Sequence, residues 1–120
     1  MIGIFDSGYG GLTILDKITT LMPEYDYIYL GDNARTPYGT RSYEVVYHYT
    51  WESVNYLFSR GCHIVILACN TASAKALRSI QQYKLADSYP DRRVLGVIRP
   101  TVEAVAATTK RGGVGLVATP

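Results

Sequence analysis

Cysteine and histidine are scarce in this sequence, and neither is arranged for a metal site or a disulfide framework. The 120 residues include 2 cysteines and 2 histidines. Cys62 and Cys69 stand seven positions apart, a spacing that fits neither a redox Cys-x-x-Cys pair nor a zinc knuckle. Free thiols are typical of a reducing compartment. We therefore predict a cytoplasmic protein that holds no metal.

The sequence also lacks an excess of one charge, a long apolar run and the features of a signal peptide. Its 12 basic and 10 acidic residues are scattered and give a net charge of +2, with no basic cluster for nucleic acid. No apolar run approaches the roughly eighteen residues of a membrane span. Residues Met1–Asp6 show no basic region followed by a long apolar core. We expect neither a nucleic acid nor a membrane as partner.

Short apolar runs alternate with longer amphipathic segments along the chain. The runs predict strands at Ile2–Phe5, Tyr27–Leu30, His63–Ala68, Val94–Ile98 and Val114–Ala118. The segments between them predict helices at Leu12–Met22, Ser42–Arg60, Ala72–Tyr83 and Thr101–Lys110. This alternation predicts an α/β fold, a parallel sheet with right-handed crossovers and helices on both faces.

Helix boundaries and the last strand refine this prediction. Pro23 ends the first helix, while Ser42 caps the second and Gly61 ends it. Val102 and Val105 predict a buried stripe on the last helix. The strand predicted at Val114–Ala118 has no helix after it to cover it. We therefore expect an incomplete N-terminal lobe in residues 1–98, a crossover helix and the first strand of a second lobe in 99–120, and a chain that has been cut short.

Each of the first four strands is followed by a polar or glycine-rich run, and ligands of open parallel sheets bind at that edge. The runs are Asp6–Gly11, Gly31–Gly39, Cys69–Thr71 and Arg99–Thr101. Their common position in the order of elements predicts one small-molecule site.

The first run, Asp6–Gly11, has glycines that let backbone amides approach an anion. It is neither a dinucleotide fingerprint, because Thr13 stands where the third glycine should fall, nor a P-loop. Asp6 is suited to hold a substrate ammonium or to orient a thiol. The alternative is that Asp6 and Ser7 only cap a helix and the glycines form a tight turn.

The second run, Gly31–Gly39, contains Tyr38 and the Gly39 amide as candidate ligand contacts. With Pro37 beside them, the same residues also fit an ordinary surface turn. Arg35 is predicted to be only a structural ion-pair partner.

The third run carries the candidate chemistry. A thiol at Cys69, between a strand and a helix N-terminus, is placed to form thiolate, and Asn70 and Thr71 offer donors for a carboxylate. Cys62, by contrast, is a core residue at the start of the strand. His63 is about 16 Å or more from Cys69 along the strand, so a Cys-His pair is not expected. No lysine follows a strand to form a pyridoxal Schiff base, which leaves proton transfer by the thiol without a cofactor.

Three stretches resemble glutamate racemase, of the cofactor-independent aspartate/glutamate racemase family. They are Asp6-Ser7-Gly8-x-Gly10-Gly11-Leu12-Thr13, Gly31-Asp32-x-Ala34-Arg35-x-Pro37-Tyr38-Gly39-x-Arg41-Ser42 and Ala68-Cys69-Asn70-Thr71-Ala72-Ser73-Ala74. The resemblance implies two α/β lobes with the site between them and one catalytic cysteine from each lobe. It makes Cys69 the first catalytic cysteine, with Asp6 beside it as a catalytic residue. It also implies substrate contacts at Asp6, Ser7, Tyr38, Gly39, Asn70 and Thr71.

The activity implied is interconversion of L- and D-glutamate, which supplies peptidoglycan synthesis and so maintains the cell wall and cell shape. The family's second cysteine lies in a Gly-Cys-Thr-His run that these 120 residues do not contain, so we expect them to be inactive alone. Arg99 stands where the family commonly has glutamate. The resemblance leaves a homodimer open. The alternatives are an aspartate racemase, a single-cysteine enzyme similar to arylmalonate decarboxylase, and a non-catalytic anion-binding α/β module.

Overall fold

The computed structural model describes residues 1–110 and 112–120, which contain one four-stranded sheet. Its strands are β1 (Ile2–Asp6), β2 (Tyr27–Gly31), β3 (Ile64–Leu67) and β4 (Arg93–Gly96). All three neighbouring pairs are parallel, in the order β2-β1-β3-β4. The predicted α/β fold with a parallel sheet is confirmed.

Helical segments connect and follow the strands. They are α1 (Leu12–Leu21), α2 (Tyr43–Ser59), α3 (Asn70–Lys75), α4 (Leu77–Ser79), a π-helical segment (Ile80–Leu85), α5 (Ala86–Ser88) and α6 (Ile98–Thr108). The single helix predicted at Ala72–Tyr83 thus begins at Asn70 and is interrupted at Ala76, whose φ of −117° departs from helical geometry. None of the helices in the described residues is both long enough and apolar enough to cross a membrane.

Helix α2 covers one face of the sheet, and its predicted boundaries are confirmed. The Ser42 hydroxyl accepts the Val45 N–H at 3.3 Å, and Gly61 has a φ of +95° that favours glycine. A β-carbon at Gly3 would lie 3.1 Å from Leu57 of α2. The glycine therefore allows the helix to approach β1 closely.

Helix α1 is attached to the opposite face of the sheet. Ile2 and Ile4 are buried there, in register with Tyr27 and Tyr29 of β2. The Tyr27 hydroxyl donates to the carbonyl of Met22, at the end of α1. The sheet thus carries helices on both faces.

The fourth strand is shorter than predicted. It ends at Gly96, and Ile98 begins α6. Arg99 and Pro100 therefore lie with Thr101 in the first turn of α6, and the helix predicted to begin at Thr101 begins three residues earlier. Pro100 is tolerated there because the first N–H groups of a helix have no partner within it.

No strand forms at Val114–Ala118, so that prediction is wrong for this structure. Among the described residues, 112–120 contain no helix or strand, and the Val117 side chain is 100% exposed. An isolated apolar segment gains no ladder hydrogen bonds, and this one does not pair with β4. Val102 and Val105 on α6 are also exposed, contrary to the predicted stripe. The division at residue 98 stays a prediction.

Candidate active site

The loops after β1 and β3 meet at a thiol. The Cys69 S–H donates to the hydroxyl oxygen of Ser7, with 3.5 Å between sulfur and oxygen. These residues are neighbours because β1 and β3 are paired in parallel, which brings their carboxyl ends to the same edge of the sheet. The first and third polar runs therefore lie together at this edge, as predicted.

Cys69 lies at the N-cap of α3, where the Ala72 N–H donates to its sulfur at 3.4 Å. The side chain is 6% exposed. The sulfur thus accepts a backbone proton while its own proton faces Ser7. Both cysteines are free thiols.

Asp6 ends β1, and its carboxylate accepts the Gly11 N–H at 2.8 Å. A β-carbon at Gly11 would lie 2.7 Å from the β-carbon of Asp6, so only glycine fits here without displacement. One oxygen of Asp6 therefore stabilises the turn before α1, but the N-cap of α1 is Gly11 and no side chain caps it, so the alternative in which Asp6 and Ser7 cap the helix is wrong.

In the second loop, the side chain of Tyr38 is held in place by a hydrogen bond from its hydroxyl to Asp32. Tyr38 is buried, its ring contacts Phe5 and Tyr49, and its hydroxyl donates to the Asp32 carboxylate. Burial, with the neighbouring Asp32 carboxylate, raises the pKa of Tyr38 far above its ordinary value. The hydroxyl is thus a neutral donor already committed to Asp32.

Arg35 connects this loop to α2. Its guanidinium donates to Asp32 and to Glu52, each at 2.6 Å, and lies 4.0 Å from the Tyr49 ring centroid. The prediction that Arg35 is a structural ion-pair partner is consistent with this geometry.

Thr71 and Gly39 face a residue that the sequence argument did not select. The hydroxyl oxygens of Thr71 and Thr119 are 3.2 Å apart, and a β-carbon at Gly39 would meet Thr119 at 2.7 Å. Thr119 directly follows the segment predicted as the fifth strand, so the strand-end rule would have identified it. Asn70, the first residue of α3, is exposed.

The other residues considered from the sequence are not brought to the thiol. Cys62 is buried beside Gly3, and burial raises the pKa of its thiol. His48 pairs with Glu52, and Arg99 is 91% exposed and pairs with Glu103. Within the described part of the chain, no three His, Cys, Asp or Glu side chains are grouped as metal ligands would be.

Sequence comparison identifies close relatives with a common name. No family model matches the chain. Glutamate racemase from Jannaschia sp. is 53% identical over 104 residues, which cover 87% of this chain and 37% of the relative. Glutamate racemase from Persephonella marina is 47% identical over 118 residues, covering 98% of this chain and 43% of the relative.

Solved structures that resemble this chain carry the same name, glutamate racemase. Glutamate racemase from Aquifex pyrophilus superposes with a TM-score of 0.82 at 41% identity, covering 91% of this chain and 41% of that one. This chain is a glutamate racemase homologue. The enzyme from Francisella tularensis, solved in complex with D-glutamate, matches with a TM-score of 0.76 at 38% identity, covering 87% of this chain and 38% of that chain.

The chain spans about two fifths of the length of the curated glutamate racemases it matches. The relatives and solved structures named above are glutamate racemases, not aspartate racemases or decarboxylases. The matched region includes a free thiol against Ser7 at the end of a parallel strand.

Proposed function

We propose that this chain forms one half of a glutamate racemase active site, in which Cys69 transfers the α-proton on one face of the substrate. The observation that carries the proposal is the Cys69 sulfur, held between the Ser7 hydroxyl and the Ala72 amide at the carboxyl edge of the sheet. The relatives named glutamate racemase support the choice of reaction.

Inversion of the α-carbon requires two bases, one on each face of a planar carbanion. The thiolate of Cys69 takes the α-proton and becomes a thiol, and the C–H electron pair remains on the α-carbon. A thiol on the opposite face then donates its proton to that carbon and becomes a thiolate. The net change is the configuration of glutamate, so neither a cofactor nor a redox partner is required.

We propose that the second base is supplied by a residue that is not among these 120. Cys62 cannot supply it, because Cys62 is buried at the other end of β3. The family resemblance places the second cysteine in a Gly-Cys-Thr-His run. We therefore expect no racemisation by the 120-residue chain alone, and detectable turnover by that chain would contradict the two-base assignment.

Substrate contacts are assigned by the same proposal. Ser7, Thr71 and Asn70 supply neutral donors around the thiol for the carboxylates of glutamate. The Asp6 carboxylate, with one oxygen on Gly11, orients the site or holds the substrate ammonium. Tyr38 and Gly39 form the adjoining wall, where the Gly39 amide is the available donor, because the Tyr38 hydroxyl is bound to Asp32.

We propose the biological role that the family resemblance implies. D-Glutamate made by this enzyme enters peptidoglycan synthesis in the cytoplasm, and loss of the enzyme weakens the cell wall and cell shape. Glutamate is the small-molecule partner. We propose no nucleic-acid or membrane partner. Sedimentation of the full-length protein would show whether it forms a homodimer.

The test is α-proton exchange in deuterated water with the full-length protein, starting from each enantiomer separately. We expect Cys69→Ala to abolish racemisation and to stop exchange from at least one enantiomer. Cys62→Ala is the control, because Cys62 belongs to the core, and a folded Cys62→Ala protein keeps its activity. Exchange that survives from both enantiomers in Cys69→Ala would show that Cys69 is not a base.

A further inference from the structure

Tyr29 of β2 reaches across the sheet edge to the loop that follows β1. Its hydroxyl donates to the carbonyl oxygen of Gly8 at 2.9 Å, although 21 positions separate the two residues. Gly8 directly follows Asp6 and Ser7. The hydroxyl is therefore attached to the backbone that carries the two candidate site residues.

The same hydroxyl also lies against the other end of that loop. A β-carbon at Gly11 would be 3.1 Å from the Tyr29 hydroxyl oxygen and 2.7 Å from the Asp6 β-carbon. The Gly11 N–H in turn donates to the Asp6 carboxylate. The Tyr29 hydroxyl is thus hydrogen-bonded to the loop at Gly8 and lies close to the loop again at Gly11.

Electrostatics keep the phenol in its donor form. Burial, and next the negative charge of the nearby Asp6 carboxylate, raises the pKa of Tyr29 to about 12 from 10.0. Hydrogen bonding with the Asp6 carboxylate, and then the charge of Cys69, act in the same direction. A protonated phenol can donate its single hydrogen to Gly8 throughout the neutral and mildly alkaline range.

We infer that Tyr29 is a positioning residue whose hydroxyl holds the Asp6–Gly11 loop so that Ser7 stays against Cys69. The consequence for catalysis rests on the function proposed above, while the positional role can be tested without turnover. Without the hydroxyl, the Gly8 carbonyl loses its partner and the loop opens away from the thiol. The position of Tyr29 inside an ordinary strand pattern explains why sequence reasoning did not select it.

The chain contains a matched control. Tyr27 lies on the same strand and the same face as Tyr29, and its hydroxyl donates to the Met22 carbonyl at 2.7 Å. Tyr27 is at the amino end of β2, whereas the site is at the carboxyl end. Tyr29→Phe and Tyr27→Phe therefore each remove one hydroxyl and one hydrogen bond, but only Tyr29→Phe affects the site loop.

The experiment measures alkylation of each cysteine by iodoacetamide in the folded chain, with peptide mass mapping to separate Cys69 from Cys62. We expect Tyr29→Phe to raise the Cys69 alkylation rate about tenfold, because the free energy of one partly buried hydrogen bond corresponds to about that factor in rate. The dependence of Cys69 alkylation on pH should also differ between Tyr29→Phe and the unmodified chain, because the Asp6 carboxylate moves with the loop. Tyr27→Phe reacts like the unmodified chain, and the buried Cys62 stays protected in both.

Three results would overturn the inference. One is an unchanged rate and profile at Cys69 in Tyr29→Phe. Another is an equal increase in Tyr27→Phe, which would indicate general loss of packing. The third is labelling of Cys62 together with Cys69, which would indicate global unfolding. Failure of the full-length protein to racemise glutamate would overturn the proposed function instead, and would leave the alkylation result standing.

Discussion

The sulfur of Cys69 and the hydroxyl oxygen of Ser7 lie 3.5 Å apart, although 62 positions separate these residues in the chain. Their contact depends on the parallel pairing of β1 with β3, which sets Phe5 opposite Leu67. The loop residues that follow these strands therefore share one edge of the sheet.

Ser7→Ala removes the hydroxyl that faces the Cys69 thiol. We expect racemisation by the full-length protein to fall about tenfold to a hundredfold, because a hydrogen bond at the reacting group is lost. Ser59→Ala is the control, since the Ser59 hydroxyl donates only to the Tyr56 carbonyl on an exposed turn. Rates of both enantiomers are followed by circular dichroism. An unchanged rate in Ser7→Ala would remove Ser7 from the site.

Gly11→Ala places a β-carbon 2.7 Å from the Asp6 β-carbon, a distance that requires the loop to shift. We expect the free energy of unfolding to fall by about 1–3 kcal/mol, the usual cost of overpacking. Gly10→Ala is the neighbouring control, because its nearest contact would be an ordinary 3.7 Å to the Asp6 carboxylate. Urea unfolding measures both. Equal stability of the two variants would argue against the close approach at Gly11.

Arg35→Met keeps much of the side-chain volume and removes the charge that bonds Asp32 and Glu52. We expect a loss of about 1–3 kcal/mol in the free energy of unfolding, because Asp32 is left partly buried beside Tyr38 without its cation. Arg99→Met removes an exposed pair with Glu103 and should change stability by less than about 0.5 kcal/mol. Thermal or urea unfolding distinguishes them, and similar effects of the two substitutions would contradict the structural role of Arg35.

Alkaline pH should destabilise the chain through Tyr29. Its pKa in the folded state is about 12, against an ordinary value of 10.0. Because the raised pKa means that the folded state holds the proton more tightly, the stabilising contribution is complete below pH 10.0 and is lost as the pH rises toward 12. Tyr29→Phe should therefore show a smaller decrease in unfolding free energy over this interval. Urea unfolding at a series of alkaline pH values measures it, and parallel curves for the two proteins would contradict the shift.

Much of the fold was predictable from local pattern. Short apolar runs located β1, β2 and β3, and Ser42 with Gly61 located the ends of α2. The strand predicted to reach Ile98 ends at Gly96, because an apolar run does not by itself show where a strand stops and a helix begins. Val114–Ala118 has a strand's composition, but composition cannot supply the neighbouring strand with which it must pair.

The candidate site was predictable in part. The rule that ligands bind at the carboxyl ends of parallel strands selected Cys69, Asp6 and Ser7, and the structure brings Cys69 and Ser7 into contact. The same rule could not show that the Tyr38 hydroxyl is hydrogen-bonded to Asp32. Nor could it select Tyr29, whose side chain has no signature that distinguishes it from a packing tyrosine.

The sequence by itself determined the positions of the four strands and of α1 and α2, and which thiol follows a strand, because those properties depend on the periodicity and type of neighbouring residues. Only the tertiary structure decided which polar groups meet. The contacts of Ser7 with Cys69, Tyr29 with Gly8 and Thr71 with Thr119 join residues far apart in the chain. Such contacts depend on strand order and register, which arise when the whole sheet packs against its helices.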